Sequence, residues 1–588
     1  MFPVQHVPIR FSGLPTRAGP LTRGQANLLR VMLTGTPVCL DAVLPVPRGT
    51  EPADVSAAVR VLLARHESLR TTYRVGDVPS QVVAEAGELV MSVVEVAPPI
   101  TPQLLEDVRR IHWDSPFTDA EQELPFRVAA VSADGVLSHV VLALSHVAAD
   151  LAALTIVAGE LEKLLTGQPL SAPGPQPLDF LTVENGAAMR NRLRTSLRYW
   201  ETQLRTTPHS LFPQRWPEED GRLHPGLLVR SAAAAKALDR ASRRIGASRS
   251  AVALTALVVL VADYVGQPVC PVTMPSANRF LPQTRDYVGQ LGSDCFTRVD
   301  LRGTPTFDAA ARAVRRESIR GYWHGWFDTD ELWRLYETVA TERGLHAHAR
   351  ELVFNDLSGV GSATARPGEA SLPERYGLVG TPVVAADRAT GAADGAWARV
   401  SPGAGNCWLE AEPSVSRLSV DLYRLDHELT AAFWADPRCF TAAETVALAH
   451  AFEALLVAAG DDDLELCDVR SVTGLAPRVQ GDDWYPVDSG WVPLSCARRL
   501  LADVVGDDSF VAAVPDPRLG HRLIGYLGDG SWTPQAVHSA CVAALEDRPG
   551  AMTPHTYVIC ADVPEDRDDW DAWRRQPVRA TGTGRADR

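Results

Sequence analysis

The chain has 588 residues, 46% hydrophobic and 22% charged, and its 57 basic and 72 acidic side chains leave a formal net charge of −15. That length exceeds one hydrophobic core and predicts about two to four structural units, while the composition excludes wholesale disorder. A net acidic surface repels phosphate backbones, which argues against a nucleic-acid binder.

The opening MFPVQHVPIRF lacks the basic start and apolar run of a signal peptide. PADVSAAVRVLLARHESLRTTY (52–73) places apolar residues at helical spacing behind Asp54, the expected cap. SQVVAE (80–85), ELVMSVVEV (88–96) and RVAAVSADGVLSHVVLALSH (127–146) read as strands, the last folded into a hairpin at Asp134–Gly135. AADLAALTIVAGELEKLLTG (148–167) predicts a helix ended by Gly167, and the Pro-rich SAPGPQPLD (171–179) a linker. MRNRLRTSLRYWETQL (189–204) predicts another helix. SAVALTALVVLVADYV (250–265) has 16 residues including Asp263, too short for a membrane span and suited to a buried helix. A second break falls at 458–470. Residues 475–588 carry their own helix and strand signals and form a small third unit, ending in a tail, RATGTGRADR, expected to be disordered.

Nine cysteines include no CxxC pair, so Cys270 and Cys541 are expected as small core residues rather than disulfide partners. HAH at 346–348 has no third ligand nearby, and no metal is expected. These features point to a soluble, reduced, cytoplasmic chain without a membrane partner.

SHVAADL (145–151) lies where the apolar run VVLALSH meets the helix AADLAALTIVAGEL. A histidine at a strand's end projects into a cleft, and the helix behind it offers free backbone N–H groups to developing negative charge. Histidine also exchanges a proton near neutral pH. On the residues alone two readings of His146 stand side by side: a proton-handling group, and a strand-end histidine that is hydrogen-bonded for structure.

LTRGQANLLRVM (21–32), RHESLRTTY (65–73), SPFTDAEQELPFRV (115–128), RYWETQL (198–204), MPSANRF (274–280), DYVGQLGSDCFTRVDL (286–301) and ELVFNDLSG (351–359) occur in that order around SHVAADL. Together they resemble the landmarks of the condensation-domain family of nonribosomal peptide synthesis, SHVAADL standing for its HHxxxDG signature. The resemblance covers roughly residues 1–460. It implies an α/β (α+β) fold: two chloramphenicol-acetyltransferase-like lobes, 1–185 and 186–465, set in a V, with a small α+β C-terminal domain at 475–588. Donor and acceptor phosphopantetheine arms would meet at His146 in a tunnel between the lobes. The implied activity is that of a free-standing acyltransferase joining a carrier-bound acyl or aminoacyl thioester to an amine or hydroxyl acceptor. Peptidyl or acyl carrier proteins would be its partners, a small-molecule acceptor is allowed, and no cofactor would be bound to the chain itself.

The same resemblance assigns roles. His146 accepts, relays or positions the acceptor's proton, and Asn355 holds substrate or oxyanion, or else satisfies a strand-end backbone group. Asp150 pairs with Arg279 as structure. Ser145 and Leu151 depart from the signature's first His and its Gly, and Leu151 is expected either to narrow the acceptor route or to alter the start of the helix. Arg65 and Arg70 support structure. The runs Arg190/Arg192/Arg194/Arg198 and Arg312/Arg315/Arg316/Arg320 are docking faces for acidic carrier proteins or solvated helix faces.

FVAAVPDPRLGHRLIGYL (510–527), GWVPLSCARRLL (490–501) and MTPHTYVICADVP (552–564) are similar to the small C-terminal subdomain of acyl-adenylate-forming enzymes. Trp570 stands near that subdomain's lysine position, which implies a degenerate packing or docking module without adenylation. Two further functions remain open: a catalytically silent docking platform for a tailoring enzyme, and a condensation-like domain that modifies a bound residue.

Overall fold

A computed structural model describes residues 2–33, 39–113, 117–208, 210–213, 223–345, 350–359, 406–413, 416–488, 490–528, 530–545, 548 and 550–585. Three large sheets organise them, each with helices packed on it, and the class is the expected mixed α/β one.

The first sheet orders its strands Val4–Phe11, Gly87–Glu95, Phe126–Ala133, Val136–Ser145 and Cys39–Pro45. Its hairpin turns at Asp134 and Gly135, with φ of 52° and 74°. Two successive positive φ values define the tight turn whose twist matches the strands, and Asp-Gly tolerates them. One face of this sheet buries Leu142 and Leu144 against the helices Pro52–Arg65 and Leu151–Leu165 through Val59, Leu62, Leu154 and Val157. Asp54 is not the cap of the first of these helices. Glu51 is, because Pro52 occupies the first helical position, and Asp54 completes a capping box by accepting from the Glu51 N–H at 2.9 Å. The helix stops at Arg65, short of the run to 73, and the β-branched Thr71–Thr72 pair opens the strand Thr71–Arg74 instead.

The second sheet has seven strands in the order Ser293–Asp300, Val269–Ser276, Leu352–Asp356, Leu418–Leu425, Leu429–Ala435, Leu223–Ser231 and Asn406–Pro413. One face carries the largest core, where Met274, Cys295, Phe354, Val420, Leu422 and Phe433 meet helices that include Arg249–Val265 and Ala442–Asp461. The apolar 250–265 run is the first of these helices and is almost wholly buried. Among the described residues Ala442–Asp461 alone is, as a single helix, long and apolar enough to cross a membrane, and half of its most apolar stretch is buried.

The third sheet comprises Gly490–Pro493, Trp484–Val487, Gly520–Leu527, Thr556–Cys560 and Val578–Gly582, with Ser509–Asp516 also paired to Gly520–Leu527. Residues 578–582 correct the expectation of a disordered tail. They pair antiparallel with Thr556–Cys560, which satisfies an otherwise open sheet edge, and of the tail 586–588 lie outside the described residues. Cys270 and Cys541 are fully buried in the second and third cores.

The helix Thr329–Arg343 links the units. Near its start Arg30 reaches Asp330 at 3.4 Å and stacks over Trp333. At its end Arg343 pairs with Asp488 at 2.5 Å, and the Gly344 carbonyl accepts from the Thr553 N–H at 2.8 Å.

Candidate active site

His146 follows the last residue of the Val136–Ser145 strand, in a turn where the Ser145 carbonyl accepts from the Ala148 and Ala149 N–H groups. Ser145 itself is buried, paired across the sheet with Cys39. His146 Nδ1 lies 2.9 Å from the Ala149 carbonyl oxygen. A carbonyl only accepts, so Nδ1 carries the hydrogen and Nε2 presents a lone pair. Burial pushes the imidazole below its usual range, with Asp150 and Asp294 opposing that shift. The ring is therefore neutral at pH 7 and able to take a proton at Nε2.

Asp150 caps the Leu151–Leu165 helix and fastens it to the second lobe. Its Oδ1 accepts from the Ala153 N–H at 2.8 Å and from Arg279 Nη2 at 2.6 Å, and its Oδ2 accepts from the Leu291 N–H at 3.1 Å. Arg279 Nη1 meanwhile donates to the carbonyls of Thr284 and Tyr287. One carboxylate thus fixes both the turn that aims His146 and the loop of the facing lobe. The partly buried side chain of Leu151 packs on the first sheet's core, and its φ is not positive. The first helical position needs no glycine, so the side chain turns inward. Arg70 is almost fully buried and donates to the carbonyls of Leu63 and Pro15, while Arg65 pairs with Glu160 at 2.9 Å.

Asn355 lies near the end of the Leu352–Asp356 strand and pairs in register with Asp421. Pairing of Pro275 with Asp294, and of Thr273 with Val353, extends this register across the sheet. Asp294, Pro275, Asn355, Asp421 and Ala432 therefore form one transverse row. The row lies on the face opposite the core, since Cys295, Phe354 and Val420 point the other way. Asp294, whose charge bears on His146, is paired with Arg350. Asp421 accepts from Trp434 Nε1 at 2.9 Å and from Ser419 Oγ at 3.2 Å. Burial raises it to about 6, and the Asn355 amide beside it opposes the shift. Sequence reading missed Asp421. The available signal was the alternation Leu418-Ser419-Val420-Asp421-Leu422, which puts Ser and Asp on one face.

Where the lobes meet, a cavity of about 30 Å³ is lined by Arg23, Gly24, Glu184, Asn278, Trp326 and Thr329. Burial pushes Glu184 up to about 7. Arg312, Arg315 and Arg316 are not brought to the histidine. They stand on the Phe307–Trp323 helix, whose Phe307, Ala310 and Val314 pack into the second core. The HAH run at 346–348 lies outside the described residues, as 346–349 do.

Comparisons with known proteins converge. A model of the condensation domain matches residues 31–356. A probable non-canonical nonribosomal peptide synthetase, CymA of Salinispora arenicola, is 28% identical over 284 residues, 46% of this chain and 4% of that protein. The isonitrile lipopeptide synthase of Mycobacterium tuberculosis is 27% identical over 289 residues, 46% of this chain and 11% of that one. The chain therefore spans only a small part of these relatives. Among solved structures, the X-domain from teicoplanin biosynthesis superposes with a TM-score of 0.57 at 18% identity, over 76% of this chain and 96% of that one. It has also been solved in complex with OxyB. The starter condensation domain of rhizomide synthetase, in complex with C8-CoA, superposes with a TM-score of 0.57 at 15% identity, over 76% and 96%. At these identities the likeness concerns the fold.

Proposed function

Because the chain belongs to the condensation-domain family, we propose that it is a condensation-type acyltransferase acting on acyl or aminoacyl groups held as thioesters on the phosphopantetheine of carrier proteins. The acceptor's amine nitrogen attacks the thioester carbon, with hydroxyl as the lesser alternative. The tetrahedral oxyanion collapses, the C–S bond breaks, and the acceptor's proton passes through His146 Nε2 to the departing sulfur. One observation carries this reading: the Ala149 carbonyl holds His146 Nδ1, and among the described residues no hydrogen bond engages Nε2, which stands near a helix N-terminus. Asp150 and Arg279 position it. Asn355 belongs to the facing sheet and serves the substrate rather than the proton. Arg312, Arg315 and Arg316 support a docking face for acidic carrier proteins. The unit formed by the third sheet serves packing or docking.

The test is intact-mass analysis of carrier proteins mixed with the chain. Wild type transfers the acyl group, and His146→Ala lowers the rate by about 10²–10⁴-fold while still binding the donor carrier. The structural likeness to an X-domain solved with OxyB favours a second reading, a silent docking platform. That reading prevails if wild type makes no product with any acceptor and carrier binding is indifferent to His146→Ala.

A further inference from the structure

The transverse row on the second sheet runs on past the chemistry assigned to His146. Neighbouring strands lie about 4.8 Å apart, so Asp421, three strands from Asp294, stands about 14 Å further along the same face. Its environment is unusual for a carboxylate. It is partly buried, and the groups that touch it, Trp434 Nε1, Ser419 Oγ and the Asn355 amide, are all neutral. The Arg350 charge bears on it, and Arg350 is already paired with Asp294. Among the described residues no ion pair includes Asp421. A half-buried carboxylate held mainly by neutral donors is a place where an added cation gains most, since desolvation is met there with little opposite charge.

We propose that Asp421 is the counter-ion for a cationic group on the substrate, an ammonium or guanidinium carried on the acyl or aminoacyl chain whose reacting carbon sits at His146. The Asn355 amide and the Trp434 indole fix the carboxylate's orientation, and the row from Asp294 to Asp421 is the wall along which the chain lies. This rests on the proposed acyl-transfer reading for the location of the reacting carbon. It adds the chemical class of substrate.

The experiment measures binding of non-hydrolysable pantetheine amides to the full chain, so that no turnover is required. The probes are octanoyl, ω-amino-octanoyl and the ω-carboxylate counterpart. Wild type binds them in the order ammonium, alkyl, carboxylate, with the ammonium at least about tenfold tighter than the alkyl. Asp421→Asn brings the ammonium-to-alkyl ratio close to one. Equal loss of all three probes in Asp421→Asn assigns Asp421 to holding Trp434 and overturns the proposal. Should that variant not fold, wild type decides alone: an ammonium bound no better than the alkyl chain, or no better than the carboxylate, also overturns it. Retained preference without any product in the carrier assay would sink acyl transfer and leave the cation site standing, and product without preference would do the reverse.

Discussion

Asp150→Asn tests the joint between the lobes. In the native chain the carboxylate is 4% exposed and accepts three hydrogen bonds, two at Oδ1 and one at Oδ2. Asparagine keeps one carbonyl oxygen, enough for the Ala153 cap and for Arg279, but turns an NH₂ toward the Leu291 N–H, donor against donor. The cap bond, worth about 1 kcal/mol, survives. What is lost is the negative charge opposite Arg279, whose side chain is only 12% exposed. Stranding a buried partner in this way costs about 3–5 kcal/mol. Urea unfolding should show that loss as a lowered midpoint at unchanged slope. Asp150→Asn combined with Arg279→Met should cost less than the sum of the two single changes, with at least about 1 kcal/mol of coupling. Turnover should fall with stability. Loss of turnover with less than about 1 kcal/mol of destabilisation would refute the reasoning and give Asp150 a direct chemical role.

Leu151→Gly removes a core contact and adds backbone freedom at a helix start; it should cost about 1–3 kcal/mol by thermal unfolding and leave acceptor choice unaltered. Because burial lowers His146 from its usual 6.5, kcat/KM should fall on an acid limb centred below 6.5; a midpoint above 6.5 contradicts the assignment. Glu184 is raised from 4.5 to about 7 in the fold. Between those values the native state holds the proton that the unfolded chain releases, so Glu184 costs stability as pH rises through that window, and Glu184→Gln should remove that slope in denaturation measured against pH. Trp570 opens the helix Trp570–Arg574, donates to the Tyr526 hydroxyl at 3.3 Å and lies beneath the Arg574 guanidinium. ATP–pyrophosphate exchange by the purified chain should accordingly be undetectable.

Local signals carried most of what the sequence disclosed. The Asp134–Gly135 hairpin, the strand that ends before His146 and the buried 250–265 helix follow from periodicity and turn chemistry within about twenty residues. Capping was misread at Asp54 because the third helical position of a capping box and a cap prefer the same residue types. The tail was misread because VRATG is short and weakly apolar, and its strand exists only through the neighbouring edge. The meeting of Asp150 with Arg279, 129 residues apart, was reachable only through family resemblance, as no local pattern links them. Asp421 was hidden for a further reason. Its standing depends on register across four strands, and register is set by pairing partners that sequence alone does not name.

The helix Thr329–Arg343, 15 residues and about 22 Å long, touches three units at once. Thr329 lines the cavity between the lobes, Asp330 and Trp333 meet Arg30 of the first lobe, and Arg343 and Gly344 hold the third sheet's unit. A stiff rod anchored at both ends transmits displacement with little loss. A load applied to the C-terminal unit therefore reaches the cavity between the lobes through this one helix.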